Sequence, residues 1–138
     1  MSKTYRGGCA CGAVRYEMTS DPVFHNHCQC LDCQKQSGTG HGSYVTFPQR
    51  AEATVTGKAS TWRTMADSGN HKEHAFCPVC GSPVYLTLGA MPDVIAVHAA
   101  SLDDPELFVP QAVTYAVRGH SWDRLDPSLP AFEKLPPG

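Results

Sequence analysis

Nowhere in this 138-residue chain do roughly 18 consecutive apolar residues occur, so the sequence offers no membrane-spanning helix. The opening "MSKTYRGGCACG" also lacks an apolar run of signal-peptide length. Both absences predict a cytoplasmic protein with no membrane partner. A basic excess is missing too: the net charge is -2, which provides no field for phosphate backbones and argues against nucleic acid as a partner. Small molecules or proteins remain. The chain shows neither internal repeats nor a long amphipathic helix, and its length predicts one domain over 1–138.

What the sequence does have is cysteine. Seven in a chain expected in the cytosol point to metal or redox chemistry, because disulfide frameworks belong to oxidising compartments. An odd count cannot pair completely. It divides naturally into four ligands for a closed zinc site and three for an open one.

The stretch "YRGGCACGAVRYEM" sets turn-forming glycines before an alternating segment in which Val14, Tyr16 and Met18 share a face, so the first cysteine pair sits on a turn leading into a strand. After Asp21-Pro22, "VFHNHCQCLDCQKQSGTGHG" has little periodicity and reads as a loop with one helical turn at "LDCQKQ". "SYVTF", "EATVTG" and "STWRTM" read as short strands of an antiparallel sheet. "HAFCPVCGSPVYLTL" reads as strand, two-cysteine knuckle and strand, with Pro78 and Gly81 supplying the tight turn. "DVIAVHAASL" is expected as a buried strand and Ala112 to Val117 as a last one. The proline-rich tail from about residue 119 carries Trp122, Leu125, Leu129 and Phe132, which predicts that it packs on the body.

Cys9 and Cys11, with the knuckle cysteines Cys77 and Cys80, make four thiols that suit a tetrahedral structural zinc. The competing reading is a pair of redox-active or buried free cysteines. Such a metal would tie the N-terminal strand to the second half of the sheet.

Cys28, Cys30 and Cys33 are close enough in sequence for one metal to collect all three sulfurs where the chain turns. A histidine, His25 or His27, completing a four-ligand site with two of them is the alternative; the same histidines suit a role orienting thiolates. Left open, three thiolates more than cancel the charge of Zn²⁺. Such a metal activates water poorly but hosts a fourth, exogenous sulfur well, keeping it deprotonated and nucleophilic. The implied chemistry is thiol addition or its reverse.

The motifs "GGCACGAVRY", "CQCLDCQKQSG" and "FCPVCGSPVY", in this order and with "HSWDRLDPSLPAF" near the end, resemble the glutathione-dependent formaldehyde-activating enzyme family, which also includes centromere protein V. The resemblance covers nearly the whole chain. It implies a mainly β fold of antiparallel sheets of the Mss4-like (β-tent) type, with a zinc knuckle and few short helices. It further implies two zinc ions per chain: a structural one on Cys9, Cys11, Cys77 and Cys80, and a catalytic one on Cys28, Cys30 and Cys33. The implied activity is that of a carbon-sulfur lyase, joining formaldehyde and glutathione, or another small thiol and aldehyde, into an S-hydroxymethyl adduct.

Glutathione carries two carboxylates, so cationic or N–H donors near the triplet become candidates: Lys35, and Ser37 and Gly38 of the "SGTGHG" loop. Each also has a plainer reading, Lys35, Arg63 and Arg118 as solvated charges, Ser37 and Gly38 as turn formers, Trp62 and Trp122 as packing. A second function class is a non-enzymatic zinc module that carries thiols or binds a protein partner. Methionine sulfoxide reduction on the same fold needs a redox cysteine beyond the zinc sets, and all seven are assigned.

Overall fold

The computed structural model describes residues 4–136. Among these residues ten strands lie in two sheets. The smaller sheet has the order β1, β2, β5, formed by Tyr5–Gly8, Arg15–Met18 and Ala53–Thr56. The larger sheet orders its seven strands as β10 (Ala112–Thr114), β3 (Phe24–Cys28), β4 (Gly42–Phe47), β9 (Ile95–His98), β8 (Pro83–Leu88), β7 (His71–Phe76) and β6 (Ser60–Met65). All neighbours run antiparallel except β10, which lies parallel to β3. The described residues also form one helix, α1 (Leu31–Ser37), and short 3-10 turns. Among the described residues no helix is long and apolar enough to cross a membrane.

Period-2 alternation divides the large sheet into two buried faces. Val45 and Phe47 of β4, Ile95 and Val97 of β9 and Val84 of β8 meet Tyr5, Tyr16 and Met18 of the small sheet. Phe47 is completely buried, and its ring packs edge-on against Tyr5 with centroids 5.2 Å apart; burying a side chain of this kind stabilises by roughly 1.5–3 kcal/mol. On the opposite face Tyr44, Leu86 and Ala96 pack with Cys28, Cys30 and Cys33 under α1. One face therefore holds the sheets together, and the other carries the cysteine triplet.

The segment expected as a loop after Pro22 contains β3, whose strand character is hidden by polar residues. Asn26 is buried and its amide donates to Thr114 Oγ1 at 3.0 Å, so a polar pair occupies a position where an apolar residue would mark a strand. The single helical turn expected at "LDCQKQ" is the seven-residue α1. It starts at Cys30, whose sulfur accepts the N–H of Cys33, and ends at Gly38, in the left-handed region. The last strand stops at Thr114, because Tyr115 turns to φ 54 and a 3-10 turn follows.

Residues beyond 119 are hydrogen-bonded to β10 and its continuation: Val113 N–H reaches Pro130 O at 2.9 Å and Phe132 N–H reaches Val113 O at 2.8 Å. Asp123 accepts from Gln29 Nε2 at 3.1 Å and lies 2.9 Å from His41 Nδ1. Trp122 stacks on His120 but stays exposed.

Candidate metal centres

The turn between β1 and β2 carries Cys9 and Cys11, and the turn between β7 and β8 carries Cys77 and Cys80. Their four sulfurs lie within 4.8 Å of one another. The Cys9–Cys11 and Cys11–Cys77 separations are 3.6 and 3.7 Å. A tetrahedral zinc with bonds of about 2.3 Å requires sulfur–sulfur edges of about 3.8 Å, so these two separations match the edges the ion needs. Backbone N–H groups already point at the sulfurs, from Val14 to Cys9 at 3.2 Å and from Val79 to Cys77 at 3.4 Å. The Val14 N–H holds the Cys9 thiol below its ordinary value, and contact with Ser82 brings Cys80 down to about 5. Gly81, at φ 80, lets the knuckle close, its N–H bonding to Cys77 O at 2.8 Å.

Cys28 ends β3, Cys30 caps α1 and Cys33 lies on its buried side, and these three sulfurs also lie within 4.8 Å of one another. Cys30 and Cys33 are 3.1 Å apart, so a zinc ion would open that edge by several tenths of an ångström. No fourth His, Cys, Asp or Glu joins the group among the described residues. His25 and His27 are engaged elsewhere: His25 Nδ1 accepts from the Val109 N–H at 3.2 Å, and His27 Nδ1 bonds Ser43 Oγ at 2.8 Å.

The triplet's electrostatics are uneven. Contact with Cys28 and Cys33, then the nearby Lys72 ammonium and the Cys33 N–H, pull the Cys30 thiol far down. Contact with Cys30 pushes Cys28 up, and contact with Cys28 and Cys30 pushes Cys33 up. Tyr44, raised by burial and so kept protonated, donates its O–H to Cys33 Sγ at 3.0 Å.

Beside Cys30 lies a cavity of about 150 Å³ bounded by Asp32, Asp67, Lys72, Tyr115 and Arg118. Lys35 is exposed on the last turn of α1, and Gly38 caps it. Ser37 lines a separate groove of about 560 Å³ with His41, Ser43, His98 and Ser101. The larger hollow is thus away from the triplet, and cysteine chemistry points to the smaller one. Arg63 pairs with Glu73 at 2.6 Å, and Trp62 stacks on His74 with centroids 4.3 Å apart. Arg118 borders the small cavity, paired with Asp67 at 3.5 Å. Lys72, Tyr44 and Tyr115 escape sequence reasoning. Lys72 lies in the polar run "HKEHAF", and only the sheet register brings it to the triplet.

Residues 4–118 match the family described as "Glutathione-dependent formaldehyde-activating enzyme". A Halomonas elongata protein described as "Putative glutathione-dependent formaldehyde-activating enzyme" is 29% identical over 102 residues, which cover 70% of this chain and 64% of the relative. The chain thus spans less than two thirds of that curated relative. A crystal structure of a Rhodobacter sphaeroides protein superimposes with a TM-score of 0.57 at 18% identity, covering 79% of this chain and 99% of the other, and shares the fold. The matched segment contains both cysteine clusters and every strand described above, and the chain belongs to the glutathione-dependent formaldehyde-activating enzyme family.

Proposed function

We propose that the protein is a carbon-sulfur lyase acting on a glutathione or small-thiol adduct of an aldehyde, with one structural and one catalytic zinc. The observation that carries this reading is the convergence of Cys28, Cys30 and Cys33 with no fourth His, Cys, Asp or Glu among the described residues, next to a cavity. Cys9, Cys11, Cys77 and Cys80 would hold the structural ion, and the triplet would hold the other. When bound at the triplet, zinc supplies a positive centre that keeps an incoming sulfur deprotonated at neutral pH.

The chain's own residues then have definable tasks. The Cys33 N–H, at 3.3 Å from the Cys30 sulfur, holds that sulfur at the helix start. Tyr44 fixes Cys33 by donating to its sulfur. The cavity is below the size that encloses a drug-sized ligand, so it suits the reacting end of a thiol adduct. In the synthetic direction the thiol sulfur bonds to the aldehyde carbon, and the thiol proton ends on the aldehyde oxygen.

The test is to follow S-hydroxymethylglutathione formation from formaldehyde and glutathione by NMR, subtracting the spontaneous rate, for the native chain and Cys30→Ser. Catalysis by the native chain alone supports the reading. No rate above background, with two zinc ions bound, favours a thiol-carrying or protein-binding zinc module instead.

A further inference from the structure

We propose that Gln34 is a positioning residue for the three-cysteine site: its side-chain amide clasps residues 118–123 to the turn between Cys28 and Cys30, fixing the sulfurs against the wall of the small cavity. This rests on reading the triplet as a metal site.

The need for a clasp begins in the backbone. β10 runs parallel to β3, and the Gln29 N–H continues that ladder by bonding Thr114 O at 3.0 Å. In a parallel pair the Gln29 carbonyl would next take the N–H of residue 116. Tyr115, at φ 54, turns the chain away, and the Ala116 N–H goes to Phe132 O at 2.9 Å instead. The carbonyl between two cysteines of the triplet thus loses its ladder partner on a buried residue, where an unpaired acceptor is costly. Gln34, in the middle of α1, takes that place: its Nε2 donates to Gln29 O at 2.8 Å.

The same amide has two further contacts, both on the segment that follows β10. Nε2 also donates to Arg118 O at 3.0 Å, and Oε1 accepts from His120 Nε2 at 2.8 Å. A second glutamine acts beside it. Gln29 Nε2 donates to Asp123 Oδ2 at 3.1 Å, and His41 Nδ1 lies 2.9 Å from the same carboxylate. Apolar packing does not account for the placement of residues 118–123, because Trp122, the segment's only large apolar side chain, is 64% exposed. Side-chain amides therefore hold this strap.

Arg118 and Cys30 both border the small cavity, and Gln34 bonds the backbone at the first and directly before the second. Cavity and sulfurs consequently keep one relative placement. Cys28 and Cys30 flank the clasped carbonyl, so a turn freed of the clasp gains conformational freedom mainly when no metal ties the sulfurs together. Withholding that freedom disfavours the empty site relative to the loaded one.

The experiment compares the native chain with Gln34→Met, of similar length, and Gln34→Glu, which keeps the shape but replaces the donor by an acceptor. Each is loaded with zinc. Zinc per chain, the melting temperature, the rates at which zinc passes to a coloured chelator, and tryptic cleavage after Arg118 are measured. Two zinc ions in the native chain are expected. In both variants the faster-released zinc should leave about tenfold faster and cleavage after Arg118 should rise about tenfold, with the slower release unchanged. Native-like zinc release in a folded variant overturns the proposal, whether or not cleavage rises, and leaves the metal reading intact. One zinc per native chain overturns both. Unfolding of both variants, or equal acceleration of the two releases with a lower melting temperature, marks a purely structural role and also overturns the proposal.

Discussion

Tyr44 Oη lies 3.0 Å from Cys33 Sγ, and the phenol is the donor. The bond crosses from the centre of the large sheet to the helix that closes over the triplet, so the sulfur is held by a strand that cannot shift without disturbing the core. Tyr44→Phe removes only this hydroxyl. Hydrogen bonds to charged groups contribute about 1.5–3 kcal/mol, and loss of groups supporting metal ligands weakens affinity by about 10–100-fold. The expected result is a triplet zinc at least tenfold weaker in chelator competition, with the four-cysteine site unaffected.

The two cysteine clusters should differ in what their loss does to the fold. Cys9 and Cys11 lie on the small sheet's turn and Cys77 and Cys80 on the large sheet's turn, so a metal there joins the sheets. Cys28, Cys30 and Cys33 lie within one continuous strand-to-helix segment. Cys77→Ser should cost several kcal/mol, part of the roughly 10–16 kcal/mol that structural zinc supplies to small domains. Cys28→Ser should leave the melting temperature near the native value. Thermal unfolding of both variants, loaded with zinc, checks the contrast.

Legibility in the sequence follows a physical division. Motif spacing carries the seven cysteines, because each pair or triplet must converge on its own turn, and spacing records turns. Alternation carries β2 and the strands around the knuckle, where one face is apolar. It does not carry β3, whose buried Asn26 is satisfied by Thr114 from 88 positions away. Lys72 and Tyr44 are silent for the same reason: their meaning comes from strand register and from a helix laid across the sheet. The residues nearest the triplet in sequence, Lys35 and Gly38, are directed by helix geometry to the surface and to a cap.

Acid should destabilise the protein through His98. Burial brings its imidazole from an ordinary 6.5 down to about 4, and its Nε2 has no hydrogen-bond partner. Between these values the unfolded chain binds a proton that the folded chain refuses. The stabilisation from a neutral His98 is therefore complete above pH 6.5 and is lost as the pH falls toward about 4. At pH 5 the loss is about 2 kcal/mol. Denaturant unfolding of the native chain and His98→Phe at pH 7 and pH 5 tests this, and the variant should lose less stability by about that amount.

Gly57 and Gly12 share φ 83 but should not respond alike to alanine. Gly12 lies on the open turn of the first cysteine pair, and an added Cβ meets nothing within 4 Å. Gly12→Ala should cost only the left-handed backbone penalty, about 1 kcal/mol. Gly57 lies between β5 and β6, where the chain passes from the small sheet to the large one, and an added Cβ runs into the carbonyl oxygen of Ala13. Backbone cannot rotate away as a side chain can, so relief requires parting the β5–β6 turn from the strand start that carries Val14. Val14 is fully buried, and its N–H supports Cys9. Gly57→Ala should therefore cost about 3 kcal/mol and also weaken the four-cysteine site, which urea unfolding and zinc retention measured on both variants will separate from the backbone penalty alone.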